Sequence, residues 1–187
     1  HWALPTSAGV EYDNLEHWLK DQEQFERYSR FVRGGHWRGF LTKYEESNLM
    51  HKRMMAVSNR LAALEEKHGD SAAFEKARDR LYAGQCNCPY WHGVFGGLYL
   101  PHIRQAIHSA LIAADSALDS LEPPDPPTVT RTDYDMDSHE EIVWRDRVFT
   151  AVIKPSSGGT LRELALNEHL FSLPDTLTRR REAYHAK

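Results

Sequence analysis

The sequence has few of the features that mark secreted, membrane-bound or nucleic-acid-binding proteins. Its only cysteines, Cys86 and Cys88, are too close together to join distant segments, so no disulfide framework supports the fold. No apolar run approaches the length of a membrane span, and the first residues have neither an initiator Met nor a signal-peptide pattern. A net charge of −4 gives no general attraction to nucleic acid. We therefore expect a cytoplasmic protein without a membrane or nucleic-acid partner, and a piece of a longer chain.

The composition is that of an ordinary globular protein. Of the 187 residues, 41% are hydrophobic and 27% are charged, which is enough apolar surface to bury a core. The length fits one domain or a small domain with an appendage.

Helical periodicity dominates the first two thirds of the chain. Asp13-Asn-Leu-Glu16 has the form of a capping box and predicts a helix from about residue 12 to 31. Gly34-Gly35 should end this helix, and the aromatic and basic residues that follow, through Phe40, predict a loop.

Three further helices follow. Apolar positions spaced by four and three predict a long helix over residues 47–67, with Met50, Val57 and Leu61 on one stripe. Asp70 or Ser71 should cap a shorter helix that buries Phe74, Ala77 and Leu81. The same spacing predicts a helix of about six turns from Pro101 to Leu121.

A proline-rich segment predicts a domain boundary. Residues 123–127 contain four prolines, which forbid a helix and favour a stiff linker over residues 122–128. Residues 129–187 then change period and predict two strands around the turn at Gly158-Gly159, followed by a short terminal helix. The expected fold is mainly α: a bundle of three main helices over residues 1–121, with a short β-hairpin segment after the linker.

The stretch from Gln85 to His102 concentrates residue types that packing alone does not require. It holds both cysteines, a Trp-His pair, further aromatics and three glycines. Tyr90, Trp91, His92 and Asn87 combine flat faces with hydrogen-bonding groups, the mixture that suits a sugar ring. The alternative is that Tyr90, Trp91 and Phe95 are core aromatics.

Other chemistry in this sequence is less favoured. Cys86, Cys88 and His92 do not have a usual zinc spacing, so we expect reduced structural cysteines, no metal and no cofactor. The acidic residues 133–137 are expected on a solvated face. Arg179-Arg-Arg181 is expected to form surface ion pairs rather than to bind phosphate.

Several motifs resemble one enzyme family. The longest is Tyr90-Trp-His-Gly-Val-Phe-Gly-Gly-Leu-Tyr-Leu-Pro-His102, and the others are residues 4–6, 16–18, 34–38, 43–48, 50–54, 158–163 and 175–185. They are similar to the part of glycoside hydrolase family 57 that follows its catalytic barrel, in the branch of 4-α-glucanotransferases and α-amylases. The resemblance covers nearly the whole chain.

This resemblance implies a function for the stretch around Trp91. It implies a helical region that completes the substrate site of a (β/α) barrel, followed by the start of a β-sandwich, with both catalytic carboxylates upstream and none in this chain. Trp91 matches a substrate-contacting Trp, while Phe95 and Tyr99 are left as core residues. Cys88 stands where the family has an Asp, so this chain lacks the carboxylate that the family carries at that position.

Within the chain we expect Trp91 to stack on glucan, His92 and Asn87 to donate or accept hydrogen bonds, and Tyr90 and Cys88 to shape the rim. Glu45 is the one carboxylate of interest, because it lies near the Gly34-Gly35 segment that is expected to face the barrel. The competing hypothesis is a non-enzymatic module whose aromatic-glycine loop binds a protein partner.

Overall fold

A computed structural model describes residues 1–93 and 95–186. In this part of the chain, helices fill most of the first 121 residues and an antiparallel sheet follows. The α helices are α1 Thr6–Asp21, α2 Phe25–Tyr28, α3 Trp37–Lys43, α4 Glu45–His68, α5 Ala72–Gly84 and α6 Pro101–Leu121. The strands are β1 Thr128–Thr132, β2 Glu141–Arg145, β3 Phe149–Lys154, β4 Thr160–Leu166 and β5 Phe171–Ser172. The expected fold class, mainly α with a β segment, is confirmed.

The chain divides into two compact units. The first consists of residues 1–45 with 177–187, and the second of residues 46–176. The proline-rich segment 122–128 lies inside the second unit, and the boundary predicted there stays a prediction. None of the helices in the described residues is long and apolar enough to cross a membrane.

The first unit corrects the expected start of the helix at residues 12–31. The helix α1 begins at Thr6, after Pro5 in the N-cap position, and Asp13 therefore lies inside the helix instead of capping it. Glu23 adopts a left-handed conformation with φ 54°, which separates α1 from α2. The single helix predicted over this range is therefore wrong.

The expected loop through Phe40 is also wrong, because α3 begins at Trp37. Phe40 and Leu41 are buried, and the Phe40 ring lies 4.6 Å from that of Tyr44. Packing of these apolar residues outweighs the local signal of the glycines. The predicted terminal helix is reduced to a 3₁₀ turn, Ala183–Ala186, beside the buried Glu182, which accepts a hydrogen bond from Lys43 at 2.6 Å.

The helices of the second unit follow the sequence pattern. Met50, Val57 and Leu61 are buried on α4, and Ser71 caps α5 by accepting a hydrogen bond from the Phe74 amide at 3.2 Å. The helices α5 and α6 pack closely. A Cβ placed on Gly84 would lie 2.5 Å from Leu111. A buried ion pair between Arg53 and Asp115 joins α4 to α6.

The sheet is larger than the two predicted strands. It is an antiparallel meander in the order β1-β2-β3-β4-β5, with a bulge between Val152 and Ile153. The strand β1 is exposed along its whole length and β5 has two residues, so neither shows the alternation that reveals a half-buried strand. Gln105 on α6 donates a hydrogen bond to the Ser172 carbonyl at 2.6 Å and ties the helix to the sheet.

Candidate functional site

Residues 85–93 and 95–100, between α5 and α6, form a loop, which we call the aromatic-glycine loop. It contains two 3₁₀ turns, Cys88–Tyr90 and Gly97–Tyr99. The loop folds back on itself, because the Leu98 amide donates a hydrogen bond to the Trp91 carbonyl at 2.8 Å. The segment that carries Trp91 is thus fixed by backbone contacts.

Glycine is required where the two halves of the loop, the segment around Trp91 and the segment around Gly97, come into contact. Gly97 has φ 44°, and a Cβ there would lie 2.4 Å from the Trp91 carbonyl oxygen. Gly93 has φ 62°, and a Cβ there would lie 2.9 Å from the Cα of Gly97. Both the left-handed backbone and the close approach exclude a side chain at these positions. The glycines therefore determine the shape of the loop around Trp91.

Tyr90 anchors the loop to the helices. Its side chain is buried and its hydroxyl donates a hydrogen bond to the Gly84 carbonyl at 2.6 Å. Its own carbonyl accepts a hydrogen bond from the buried hydroxyl of Ser47, on α4, at 2.6 Å. Burial, and secondarily the nearby Cys86, raise the pKa of Tyr90 well above its ordinary value. Tyr90 is thus a neutral hydrogen-bond donor that faces inward.

The other four residues predicted for the site differ in exposure. Asn87 and Cys88 are exposed, Trp91 is half-buried and His92 is buried. The His92 ring meets that of Tyr99 edge to face, with 5.0 Å between ring centroids. Asn87 and Cys88 therefore offer the most surface to a ligand, Trp91 offers less, and His92 offers the least.

One expectation for this loop is wrong: Phe95, expected in the core, is 91% exposed. Cys86 and Cys88 are free thiols, as expected for reduced cysteines, and both are exposed. The glycine-rich surroundings of Phe95 were the available signal, since such a turn leaves little apolar surface to cover an aromatic ring.

Sequence reasoning missed His51. It lies on α4, and its ring centroid is 6.4 Å from that of Tyr90 in a perpendicular arrangement. Burial, followed by the charge of Lys52, lowers the pKa of His51, which favours a neutral imidazole. The signal in the sequence was the position of His51 next to Met50, a residue of the apolar stripe of α4.

Glu45, the carboxylate singled out above, is the first residue of α4 and is exposed.

A second cluster of polar residues lies between β1 and β2. Ligand oxygens of Asp133, Asp135 and Glu141 lie within 4.8 Å of one another. Asp135 and Glu141 are buried, so the expectation of a solvated acidic face is wrong for Asp135. Lys154 forms ion pairs with Asp135, with Asp137 and, at 3.5 Å, with Glu141. The ammonium group of Lys154 thus already supplies a positive charge to this cluster.

A groove of about 690 Å³ runs along α5 and α6. Small and apolar residues line it, among them Ala83, Ala106, Ala110 and Ala113, and Cys86 and Pro89 of the aromatic-glycine loop form part of its wall. Few polar groups face this groove, so it suits apolar contact better than sugar hydroxyls.

The fold and site define a mainly α segment that presents a hydrogen-bonded aromatic loop and continues into an antiparallel sheet. Residues 35–118 match the family model "Alpha-amylase/4-alpha-glucanotransferase, middle domain". Residues 133–187 match the corresponding C-terminal model. The chain thus matches the middle and C-terminal domains of the α-amylase/4-α-glucanotransferase family.

Individual proteins show the same similarity. The chain is 38% identical over 186 residues to alpha-amylase 1 of Dictyoglomus thermophilum and 42% identical over 184 residues to the alpha-amylase of Pyrococcus furiosus. These alignments cover 100% and 98% of this chain and 26% of each relative. The crystal structure of 4-alpha-glucanotransferase from Thermococcus litoralis matches 98% of this chain and 26% of its own, with a TM-score of 0.81 and 38% identity. The chain therefore spans about a quarter of the length of these relatives.

Proposed function

We propose that this chain supplies an α-glucan-binding rim to a retaining enzyme of glycoside hydrolase family 57, of the 4-α-glucanotransferase or α-amylase type. The catalytic carboxylates belong to a (β/α) barrel in this proposal, and the aromatic-glycine loop completes the barrel's substrate site. Such chemistry needs two carboxyl groups about 5 to 5.5 Å apart across the scissile bond. We assign that role to no pair in this chain.

The observation that carries the proposal is the placement of Trp91 at the surface of a loop whose backbone is hydrogen-bonded. Its indole is half-buried and its carbonyl is bonded to Leu98, while the neighbouring Asn87 and Cys88 are exposed. Because the backbone that carries this aromatic face is already held by hydrogen bonds, binding the apolar face of a sugar costs less conformational entropy than it would on a flexible loop. Names of the relatives, alpha-amylase and 4-alpha-glucanotransferase, agree with an α-glucan ligand.

Within this rim we assign stacking to Trp91 and hydrogen bonding to Asn87 and His92. Tyr90 shapes the rim from below, because its buried hydroxyl is bonded to Gly84 and its carbonyl to Ser47. Cys88 lines the exposed edge of the rim.

We also propose a division of the chain into residues 1–121, a linker at residues 122–128, and residues 129–187 as the start of a β-sandwich. We further propose a cytoplasmic location. The two family models match on either side of the linker, which supports that division.

NMR titration of the ¹⁵N-labelled chain with maltoheptaose tests the proposal. We expect the indole N–H signal of Trp91 to shift with maltoheptaose and not with the β-linked cellopentaose. Trp18, whose side chain is 57% exposed, controls for nonspecific adsorption to an accessible indole. Trp144, whose indole donates to Asp146 at 2.9 Å, controls for general changes in the second unit. An unmoved Trp91 signal at saturating maltoheptaose, or equal shifts at Trp18, contradicts the proposal.

A second candidate function is a protein-binding module. The exposure of Phe95 at 91% favours it, because aromatic residues are enriched at protein interfaces relative to the rest of the surface. Phe95→Ser separates the two functions. The glucan-binding role predicts that this variant keeps the maltoheptaose shift at Trp91, whereas a protein-binding role predicts that it loses a partner captured by the loop.

A further inference from the structure

Arg104 joins three parts of the second unit through one guanidinium group. It lies near the start of α6 and is 3% exposed. Its Nη1 donates to the carbonyl oxygen of Leu98 at 2.6 Å, and its Nε donates to Asp175 Oδ1 at 2.7 Å. Its Nη2 also donates to the Asp175 carbonyl at 3.2 Å. The side chain thus connects α6, the aromatic-glycine loop and the segment after β5.

Leu98 is hydrogen-bonded both to Arg104 and to Trp91. Leu98 is fully buried, and its amide donates to the Trp91 carbonyl at 2.8 Å while its own carbonyl is held by Arg104. Gly97, the residue before Leu98, packs against the backbone of Trp91 and His92, where an added Cβ would lie 2.4 Å from the Trp91 carbonyl oxygen. Two consecutive hydrogen bonds therefore link Arg104 to the backbone of Trp91 through Leu98.

Trp91 is held from its other side by a neutral bond. The carbonyl of Tyr90, one residue earlier, accepts from Ser47 on α4. The consecutive carbonyls of Tyr90 and Trp91 are thus fixed from two different helices, one directly and the other through Leu98. The Arg104 side of this arrangement is charge-assisted, since Asp175 balances the guanidinium.

We propose that Arg104 is a positioning residue for glucan binding. Its guanidinium group fixes the backbone that carries Trp91, and Asp175 fixes the orientation of the guanidinium group. This inference rests on the proposed function of the aromatic-glycine loop. A planar guanidinium is needed because it donates in two directions at fixed angles, whereas an ammonium group satisfies one strong contact at a time. Asp175 is more than a charge partner, since both its carboxylate and its carbonyl accept from Arg104.

The test compares Arg104→Lys with Arg53→Lys in the whole chain. Arg53 is a matched control because it is also buried at 4% exposure, lies on α4 of the same unit, and pairs with Asp115 and with Glu163 at 3.1 Å. Both variants weaken a buried ion pair. The first readout is amide hydrogen exchange at Leu98, which does not depend on glucan. We expect Arg104→Lys to accelerate this exchange by about tenfold more than Arg53→Lys, because local opening then needs less free energy.

The second readout is the dissociation constant for maltoheptaose, measured by isothermal titration calorimetry so that the same measurement applies to Trp91→Ala. We expect Arg104→Lys to raise it by about fivefold and Arg53→Lys to leave it near the wild-type value. Asp175→Asn keeps the carbonyl contact and the side-chain shape. It should also speed exchange at Leu98 and raise the dissociation constant, but by less than Arg104→Lys does. Asp175→Asn also serves if Arg104→Lys does not fold.

Each outcome decides one of the two proposals. Equal exchange rates at Leu98 in Arg104→Lys and Arg53→Lys would show a purely structural ion pair and overturn the inference. The inference is also overturned if Arg104→Lys speeds exchange at Leu98 but leaves the affinity for maltoheptaose unchanged, while Trp91→Ala lowers that affinity. If Trp91→Ala leaves the affinity unchanged, the proposed function fails, while the Leu98 exchange rate still reports whether Arg104 fixes the loop.

Discussion

The hydroxyl of Ser47 donates a hydrogen bond to the carbonyl oxygen of Tyr90 at 2.6 Å, across 43 positions of sequence. This bond attaches the aromatic-glycine loop to α4. Both groups are buried, so water cannot replace either partner. The loop is therefore held by tertiary contacts on each side of Trp91, through Ser47 and through Arg104.

Ser47→Ala should lower the free energy of unfolding by about 1 to 3 kcal/mol, because it leaves the Tyr90 carbonyl buried without its donor. Urea denaturation measures this change. Ser109→Ala is the matched control, since its hydroxyl also donates to a carbonyl, that of Leu170, at 2.6 Å, but at an exposed site. Equal losses in the two variants would show that burial of the Ser47 bond has no energetic consequence.

Gly97→Ala should be the more damaging of two glycine substitutions. At Gly97 the new Cβ meets the Trp91 carbonyl oxygen at 2.4 Å, whereas at Gly158, with φ 70°, it meets nothing within 4 Å. Gly158→Ala then costs only the left-handed backbone, about 1 to 2 kcal/mol, and Gly97→Ala adds the clash. Thermal unfolding compares the variants, and the Trp91 indole signal should move only in Gly97→Ala. A similar loss of stability in both would contradict the close approach of the two halves of the loop.

Stability should fall as the pH decreases through the unfolded-state pKa of histidine, about 6.5, partly because of His108. Burial lowers the pKa of His108 in the native state, and Arg53 and Arg104 act in the same direction, while Glu163 and Asp175 oppose them. The unfolded chain then binds a proton that the native protein does not, so acid favours unfolding.

His108→Gln should therefore flatten the dependence of the unfolding free energy on pH between about 7 and 5. Urea denaturation at several pH values measures the slope. His102→Gln is the control, because His102 lies on the same helix and is exposed. Unchanged slopes in His108→Gln would show that His108 binds protons equally in both states.

Cys88→Asp should tighten binding of maltoheptaose, because it restores the carboxylate that the resembling family carries at this position. A charged hydrogen bond to a sugar hydroxyl is worth about 1.5 to 3 kcal/mol, or roughly tenfold or more in affinity. Titration of the Trp91 indole signal measures it. Cys86→Asp is the control, since Cys86 is also exposed but lies two residues further from Trp91. Equal effects would indicate a general charge effect instead of a contact at Cys88.

Local sequence patterns predicted the second unit's helices well and the sheet poorly. The stripe on α4, the Ser71 cap of α5 and the length of α6 follow from periodicity and capping, which act within a few residues. The strands β1 and β5 were missed because an exposed or two-residue strand has no buried face. In the first unit, α1 begins before the capping box, and the packing of Phe40 outweighed the glycine pair.

The sequence by itself determined where the unusual loop lies, that glycines shape it, and which family it resembles. Only the tertiary structure decided that Tyr90 and His92 face inward, that Phe95 is exposed, and that Ser47, Arg104 and Asp175 hold the loop. These contacts join residues that are far apart in the sequence, so no local pattern contains them. Each of these polar groups is largely buried and therefore needs a hydrogen-bond partner within the protein, because an unpaired donor or acceptor away from water costs free energy.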